Sequence, residues 1–192
     1  MRDSLKINKN TLTRIVTVDD FYDDPMSVRE KALQLEFYRD DSLFHGQRTY
    51  ERFAESSIRD AFSSLLGTSV TRWDEHAMNG VFQLCTARDP LVYHADMQRW
   101  AGIIYLSPDA SPTTGTSFYQ HLRSDSRSVR DGDPANIFSG GYFDGTRFRE
   151  VDRIGNVFNR LVLFDAGLIH AASAYCGEHS ADARLFQMFF FD

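Results

Sequence analysis

Three residues of the strand-rich part of the chain, His94, Asp96 and His170, carry the side chains that metal sites use, at a spacing that allows them to meet. His94 and Asp96 follow the short apolar run 91–93. In a strand, residues i and i+2 point to the same face, so both side chains could bind one ion. His170, which follows a turn and begins another strand-like run, could supply a third ligand. Two histidines and one carboxylate leave coordination positions open, and this ligand set suits non-haem iron(II).

Each of these residues also has an ordinary structural explanation. His94 could end a strand and hydrogen-bond to a nearby aspartate, and His170 could be a histidine satisfied within the core. A His-x-Asp pair also arises by chance in many chains. The weight of the pattern therefore depends on which other polar residues accompany it.

Arg184 lies 14 residues after His170 and opens the apolar run 185–191. If it points inward it needs a carboxylate partner, because a buried unpaired charge is very costly. The carboxylate of a bound cosubstrate would meet that need through a bidentate pair, which lysine could not reproduce as well. A surface salt bridge at the end of the strand is the alternative.

Three further residues are weaker candidates for contacts with a substrate. His121 could lie near the mouth of a cavity and orient substrate, or it could be a loop histidine. Gln83 interrupts an apolar strand, where a buried amide needs partners in the substrate or in the protein itself. Trp100 could line the cavity, although aromatic residues in strands more often belong to the core.

The elements that must position these residues form a helical front and a strand-rich back. Asp24 and Pro25 open a predicted helix over 26–35, and a second helix is predicted from about 51 to 66, before Gly67. From residue 80, turn signals separate short runs rich in β-branched and aromatic residues. The predicted strands are 81–86, 91–95, 100–106, 116–120, 160–164, 169–175 and 183–191.

We therefore expect one mainly β domain over 1–192. Residues 1–79 would form a mostly helical support, and residues 80–192 a barrel or sandwich of the jelly-roll kind. Residues 122–158 are polar and rich in glycine, which predicts a loop insertion between two core strands, at the border of the site.

The composition limits the class of partner. Lys and Arg total 21 against 27 Asp and Glu, a formal charge of −6, so we expect neither nucleic acid nor a membrane as partner. The first ten residues lack the apolar core of a secretory signal, and a cytoplasmic protein is expected. Cys85 and Cys176 form no CxxC pair and are expected to be buried thiols. The absence of coiled-coil heptads favours a monomer or simple homodimer.

Five segments in order resemble the iron(II)/2-oxoglutarate-dependent oxygenases, particularly the prolyl-4-hydroxylase-like branch. The resemblance covers about residues 80–192. The segments look like that branch's His-x-Asp pair, its Tyr-Leu-Asn segment, the glycine-led strand that follows, the strand and turn that deliver the distal histidine, and the terminal strand with the cosubstrate arginine. Here they are 94–96, 104–107, 115–119, 159–170 and 183–191.

The resemblance implies a double-stranded β-helix, a cupin-like jelly roll with flanking helices. It implies iron(II) on His94, Asp96 and His170, and 2-oxoglutarate as cosubstrate, with its distal carboxylate on Arg184 and a hydrogen bond to Tyr105. The implied activity uses O2 to hydroxylate a C–H bond of a small-molecule substrate, such as an amino acid or a carrier-bound precursor. Halogenases of this family replace the carboxylate ligand with a small residue, so Asp96 favours hydroxylation.

Two departures from the family pattern bear on the cosubstrate end. Many members carry a small hydroxyl residue two positions after the arginine, where this chain has Phe186. The stretch between His170 and Arg184 is also longer than usual. Two alternatives therefore stay open: a hydroxylase of protein or peptide side chains, for which 122–158 would act as a flap, and a non-catalytic cupin-like module that binds a metal.

Overall fold

The computed structural model describes residues 14–40 and 45–192, so the first ten residues, from which the localisation was predicted, lie outside the described part. Within these residues, three α-helices and two 3-10 turns accompany ten strands. The helices are α1 (Pro25–Gln34), α2 (Ser56–Leu66) and α3 (Pro134–Ile137). The strands are β1 (Ile15–Val18), β2 (Phe37–Tyr38), β3 (Gln47–Thr49), β4 (Phe82–Cys85), β5 (Trp100–Tyr105), β6 (Thr116–His121), β7 (Phe148–Ile154), β8 (Leu161–Asp165), β9 (His170–Ala172) and β10 (Arg184–Phe191).

The strands form two antiparallel sheets. The large sheet has the order β1-β8-β5-β10-β4-β3-β2, and the small sheet has the order β7-β6-β9. The expectation of a mainly β chain with a few helices is confirmed. Within the described residues, no helix has the length and apolar character that crossing a bilayer requires.

The start of α1 and both ends of α2 are set by identifiable local contacts and backbone conformations. The side chain of Asp24 accepts the backbone N–H of Ser27 and caps α1, as predicted. Helix α2 ends at Gly67, whose φ of 65° is the left-handed conformation that glycine adopts without strain. The helix starts later than predicted, because the N–H of Phe53 donates to the carbonyl of Gly80 instead of joining a helical turn.

Alternation along β10 divides the large sheet into two differently used faces. Leu185, Phe189 and Phe191 pack with Phe62 of α2 in the main core. The intervening side chains turn to the opposite face, where Phe186 and Met188 belong to the cluster that reaches the small sheet. One face of the last strand therefore holds the helices, and the other is available for a site.

Two parts of the predicted organisation need correction. The described part of 1–79 contains α1 and α2, as predicted, but also the strands β1, β2 and β3, which were not predicted and which join the large sheet. The predicted loop insertion 122–158 contains α3 and the whole of β7, which pairs with β6. Strand β7 carries exposed charges from Arg149 to Arg153, as expected of a sheet edge open to water, and this charge made it look like a loop.

The predicted strand 91–95 is also wrong. This stretch makes a single bridge, between His94 and His170. The backbone cannot extend the ladder on both sides of it, because the N–H of Tyr93 donates to the carbonyl of Tyr142 at 2.7 Å. The segment therefore approaches β9 at one residue only.

The Phe62 side chain is the centre of the helix-to-sheet contact. It is fully buried, and its ring lies 5.1 Å from that of Phe189 and 5.7 Å from that of Trp73. We expect Phe62→Ala to lower the free energy of unfolding by about 3–5 kcal/mol, because it leaves a cavity among aromatic rings. Denaturant titration measures this, with Leu65→Ala on the same helix, at a residue 38% exposed, as the control. Equal losses in both variants would contradict this packing.

Candidate metal centre

A two-residue bridge joins the segment before β5 to the start of β9. The N–H of His94 donates to the carbonyl of His170 at 3.0 Å, and the N–H of His170 donates back at 2.8 Å. The centroids of the two imidazole rings are 4.3 Å apart. This reciprocal pairing fixes the two rings side by side.

Asp96 completes the cluster from the same segment as His94. Its N–H donates to the carbonyl of Ala166 at 2.8 Å, which anchors it beside the turn that leads to His170. One carboxylate oxygen lies 3.5 Å from Nε2 of His170, and the other lies 4.0 Å from Nε2 of His94. One atom from each of the three side chains lies within 4.8 Å of the other two, so they could converge on one ion.

The hydrogen bonds of the two histidines direct their Nε2 atoms toward that role. Nδ1 of His94 lies 2.9 Å from the carbonyl of Val92, and Nδ1 of His170 lies 2.8 Å from the carbonyl of Leu168. A carbonyl only accepts, so each Nδ1 carries the proton and each Nε2 of the neutral ring carries a lone pair. Metal-binding histidines are oriented in this way by their second nitrogen.

Burial keeps His170 uncharged. Desolvation, followed by the nearby His94, lowers the pKa of His170 to about 4, although Asp96 acts in the opposite direction. A histidine must be neutral to bind a metal. Two neutral nitrogens and one carboxylate oxygen are a set that fits a divalent transition metal such as iron(II).

The three residues line a cavity of about 650 Å³. Its floor is the free face of the large sheet, and alternate residues of β10 run along it. These are Arg184, Phe186, Met188 and Phe190. Arg184 is therefore at one end of the row of β10 residues that forms the cavity floor, and Phe190 is at the other.

Arg184 is 2% exposed and is held by the strand-opening loop before β6. Its Nε donates to the carbonyl of Thr114 at 2.7 Å, and one Nη donates to the carbonyl of Gly115 at 3.3 Å. The guanidinium lies 4.3 Å from the centre of the Phe186 ring. Among the described residues no carboxylate pairs with it, so a buried cation faces the cavity without an anionic partner.

Tyr105 lies behind this arginine and reaches the cavity through Thr116. The fully buried Tyr105 hydroxyl is 2.8 Å from Oγ1 of Thr116, and burial raises its pKa. Either hydroxyl of this pair can donate, and in one of the two arrangements the phenol donates to Thr116. The threonine proton then stays available to a group in the cavity, and Thr116 lines that cavity where Tyr105 does not.

Gln83 lines the cavity, and its amide is used within the protein. Its oxygen accepts from Nε of Arg48 at 2.8 Å, and its nitrogen donates to the carbonyl of His45 at 2.9 Å. Gln83 therefore orients Arg48, whose pKa is lowered by burial. Tyr175 also lines the cavity, close to Cys85 and Arg184, and burial raises its pKa.

The other two substrate candidates lie away from this space. Trp100 points to the opposite face of β5 and packs in the helix-to-sheet core, because alternation places its neighbour Ala101 on the cavity side. His121 is buried beside Phe148, and its ring nitrogens lie near Ser124 and Arg147. Burial, followed by Arg147, lowers the pKa of His121. Neither residue lines the cavity.

Thr116, Tyr175, Arg48 and His76 line the cavity, and sequence reasoning assigned none of them a role. A threonine that opens a strand two residues before an aromatic one carries no signal of its own. Thr116 could have been found only by pairing β6 with β9. Tyr175 comes from the long stretch before Arg184, which the sequence showed only as a departure in length.

Comparisons with known proteins support a shared fold. A model described as a family of unknown function, DUF6445, matches residues 3–184. No curated protein matches the chain significantly. HygX from Streptomyces hygroscopicus, solved with nickel and 2-oxoglutarate bound, is 15% identical, covers 92% of this chain and 82% of its own, and superimposes with a TM-score of 0.52.

A second solved structure has a similar degree of likeness. The prolyl hydroxylase from Trichoplax adhaerens, in complex with a hypoxia inducible factor oxygen degradation domain peptide fragment, is 13% identical, covers 93% of this chain and 83% of its own, and has a TM-score of 0.53. At such low identities these likenesses show the fold, and the chemistry has to be argued from the site.

If the three residues hold a metal, removing one must weaken its binding. We expect His170→Ala to reduce affinity for iron(II), or for manganese(II) as a redox-stable stand-in, by about 100-fold or more, since even outer-shell changes cost 10- to 100-fold. Anaerobic equilibrium dialysis with metal analysis measures this. His179→Ala, at an exposed histidine, is the matched control. Unchanged affinity in His170→Ala would show that the cluster holds no metal.

Proposed function

We propose that this chain, which belongs to DUF6445, a family of unknown function, is an iron(II)- and 2-oxoglutarate-dependent dioxygenase. It would hydroxylate a C–H bond of a small molecule. One observation carries the proposal. A buried arginine without a carboxylate partner among the described residues shares a cavity with two histidines and an aspartate that could hold one metal.

The fold supports this proposal. We infer that the chain is one domain, in which the two antiparallel sheets are the two halves of a double-stranded β-helix of the prolyl-4-hydroxylase-like branch. The cavity lies on the face of the large sheet that turns toward the small sheet, and His170 comes from the small sheet. The solved structures that share the fold include one with 2-oxoglutarate bound.

The residues of the cavity would have different roles according to their positions. His94, Asp96 and His170 would hold iron(II) on one face and leave its other positions to ligands. When bound, iron(II) and 2-oxoglutarate supply the oxidising chemistry with O2, giving succinate and carbon dioxide as coproducts. Because Asp96 occupies the carboxylate position, no small residue makes room for a halide, and hydroxylation is the proposed outcome.

Strand β6 sets the distance between the two ends of the cosubstrate. Thr116 lies beside Arg184, and Phe118, two residues later, pairs with His170. Two residues of an antiparallel strand span about 7 Å. A five-carbon dicarboxylate could therefore reach from the arginine to the metal, and Arg184 would bind its distal carboxylate with a charge-assisted pair.

The hydroxyl that the sequence lacks after Arg184 has a replacement on another strand. Phe186 packs its ring against the guanidinium, and Oγ1 of Thr116 lies 3.4 Å from a nitrogen of that group. We propose that Thr116 donates to the cosubstrate carboxylate, with Tyr105 positioning its hydroxyl.

An observation also favours a second candidate, hydroxylation of a peptide. Tyr142 lines the cavity while half exposed, and its neighbour Phe143 is exposed and contacts the ring of His45. These aromatic residues could hold an extended chain. If so, Phe143→Ser would abolish turnover of peptide while sparing the uncoupled decay of 2-oxoglutarate.

Replacing the arginine tests the cosubstrate assignment. We expect Arg184→Lys to raise the Kd for 2-oxoglutarate by about 10- to 100-fold, because lysine cannot form the forked pair. Anaerobic titration of the iron(II) protein, followed by the weak visible charge-transfer absorption of a chelated 2-oxo acid, measures the Kd. Arg123→Lys, at an exposed residue, is the control. If no such absorption develops in the unaltered protein, the proposed function fails.

The hydroxyl on β6 can be tested separately. We expect Thr116→Val to raise the same Kd by about two- to tenfold, since it removes one hydrogen bond while keeping the side-chain shape. Thr116→Ser should keep the affinity near that of the unaltered protein. An equal loss in both variants would mean that Thr116 acts through packing and not through its hydroxyl.

A further inference from the structure

The half of the cavity that lies beyond Phe186, called here the apolar half, has an apolar floor and no part in the cosubstrate site. Met188 and Phe190 of β10 lie opposite Ile103 and Ala101 of β5. Met78, from the loop before β4, closes the same space. We propose that this half binds an uncharged aliphatic chain of the substrate, and that His76 binds an oxygen atom at its end. The proposal rests on the proposed function, because it assigns the Arg184 end to the cosubstrate.

The loop that carries His76 and Met78 is tied to the strand that forms the floor. The buried amide of Asn79 accepts from the N–H of Phe190 at 3.0 Å and donates to the carbonyl of Trp73 at 2.6 Å. The N–H of Gly80 donates to the carbonyl of Met188 at 2.8 Å. The loop and β10, which form two sides of the apolar half, are therefore held in position relative to each other by hydrogen bonds within the protein.

Gly80 is required for this arrangement. Its φ is +85°, and a Cβ at this position would lie 2.7 Å from the backbone of Phe53 and Ala54. Only glycine combines this conformation with so close an approach. At Gly80 the loop therefore passes between the segment before α2 and β10, and the preceding residues His76 and Met78 line the cavity.

His76 brings an unsatisfied hydrogen-bonding group to this wall. Its Nδ1 lies 3.3 Å from the amide nitrogen of Gln98, which donates to it. The proton of the neutral ring is then on Nε2, and Nε2 is buried without a partner among the described residues. A buried donor without an acceptor is costly, and an oxygen atom of a ligand in the cavity would satisfy it.

The surroundings favour a ligand without charge. Met78 and Met188 offer polarizable, adaptable surface that suits an aliphatic chain. Glu75 also lines this end of the cavity, where its carboxylate, paired with Arg72 at 2.7 Å, would repel an acid. A protonated amine has no lone pair that could accept the Nε2–H of His76, so the ligand class is an aliphatic alcohol or amide rather than a fatty acid or an aliphatic amine.

The test uses hexanamide as the probe, on full-length protein loaded with manganese(II) and 2-oxoglutarate. If the chain lies beside the metal, the proton signals of hexanamide should broaden with manganese(II) and not with diamagnetic zinc(II). Hexanoate and hexylamine should bind at least tenfold more weakly. Equal binding of the three compounds, or no broadening, would overturn the proposal.

Two variants assign the contact to His76. His76→Phe should weaken hexanamide binding by about five- to tenfold, and His76→Gln, which keeps an N–H donor, should restore most of it. His179→Phe is the matched control at an exposed histidine. Unchanged binding in His76→Phe would overturn the assignment. Thermal unfolding establishes that each variant is folded. Met188→Glu, which places a charge in the apolar half, should also weaken hexanamide binding.

Failure of this inference is distinguishable from failure of the proposed function. If iron(II) and 2-oxoglutarate give the visible absorption but hexanamide does not bind, only the substrate class is wrong. If the absorption is absent while saturation-transfer NMR shows His76-dependent binding of hexanamide, the pocket is correct and the oxygenase proposal is wrong. Preference for an apolar peptide over hexanamide would overturn the small-molecule class.

Discussion

The reciprocal hydrogen bonds between the backbones of His94 and His170 are the interaction on which the candidate site depends. They join a segment that belongs to no strand to the edge of the small sheet, and they do so at one residue only. Because the bonds use the main chain, both side chains stay available, and their Nδ1 atoms are held by carbonyls two residues earlier. Backbone pairing, ring orientation and the tautomer of the neutral rings thus follow from one local geometry.

The second constraint is the alternation of side chains along β10. Side chains on one face stabilise the core, and those on the other face line the cavity. Leu185, Phe189 and Phe191 secure the helices to the sheet, and the residues between them form the cavity floor. A shift of one residue in its pairing would bury the arginine among aromatic rings and expose the core. The packing that stabilises the fold therefore also fixes where Arg184 lies relative to the histidines.

These two constraints explain how much the sequence could predict. The bounds of strands with strong apolar runs, such as β5, β8 and β10, were predicted within a residue or two. The sequence also predicted that His94, Asp96 and His170 come together. The charged edge strand β7 and the short strands β1, β2 and β3 were missed, because exposed or brief pairing leaves little hydrophobic signal. Trp100 was placed on the wrong side, since composition alone does not tell which face of a strand turns to the core. The role proposed for Thr116 was missed because it depends on contacts with Tyr105 and Arg184, which approach it from other strands.

The departure at Phe186 acquires a physical meaning from this geometry. An aromatic ring at this position covers the guanidinium and separates the charged end of the cavity from its apolar end, where Met188 and Phe190 continue along the strand. A small hydroxyl residue would leave those two regions continuous with each other. Under the proposed function the hydroxyl comes from across the cavity, where Oγ1 of Thr116 on β6 lies near both Tyr105 and Arg184. In that proposal the Phe186 ring divides the cavity into a part for a dicarboxylate and a part for an apolar chain.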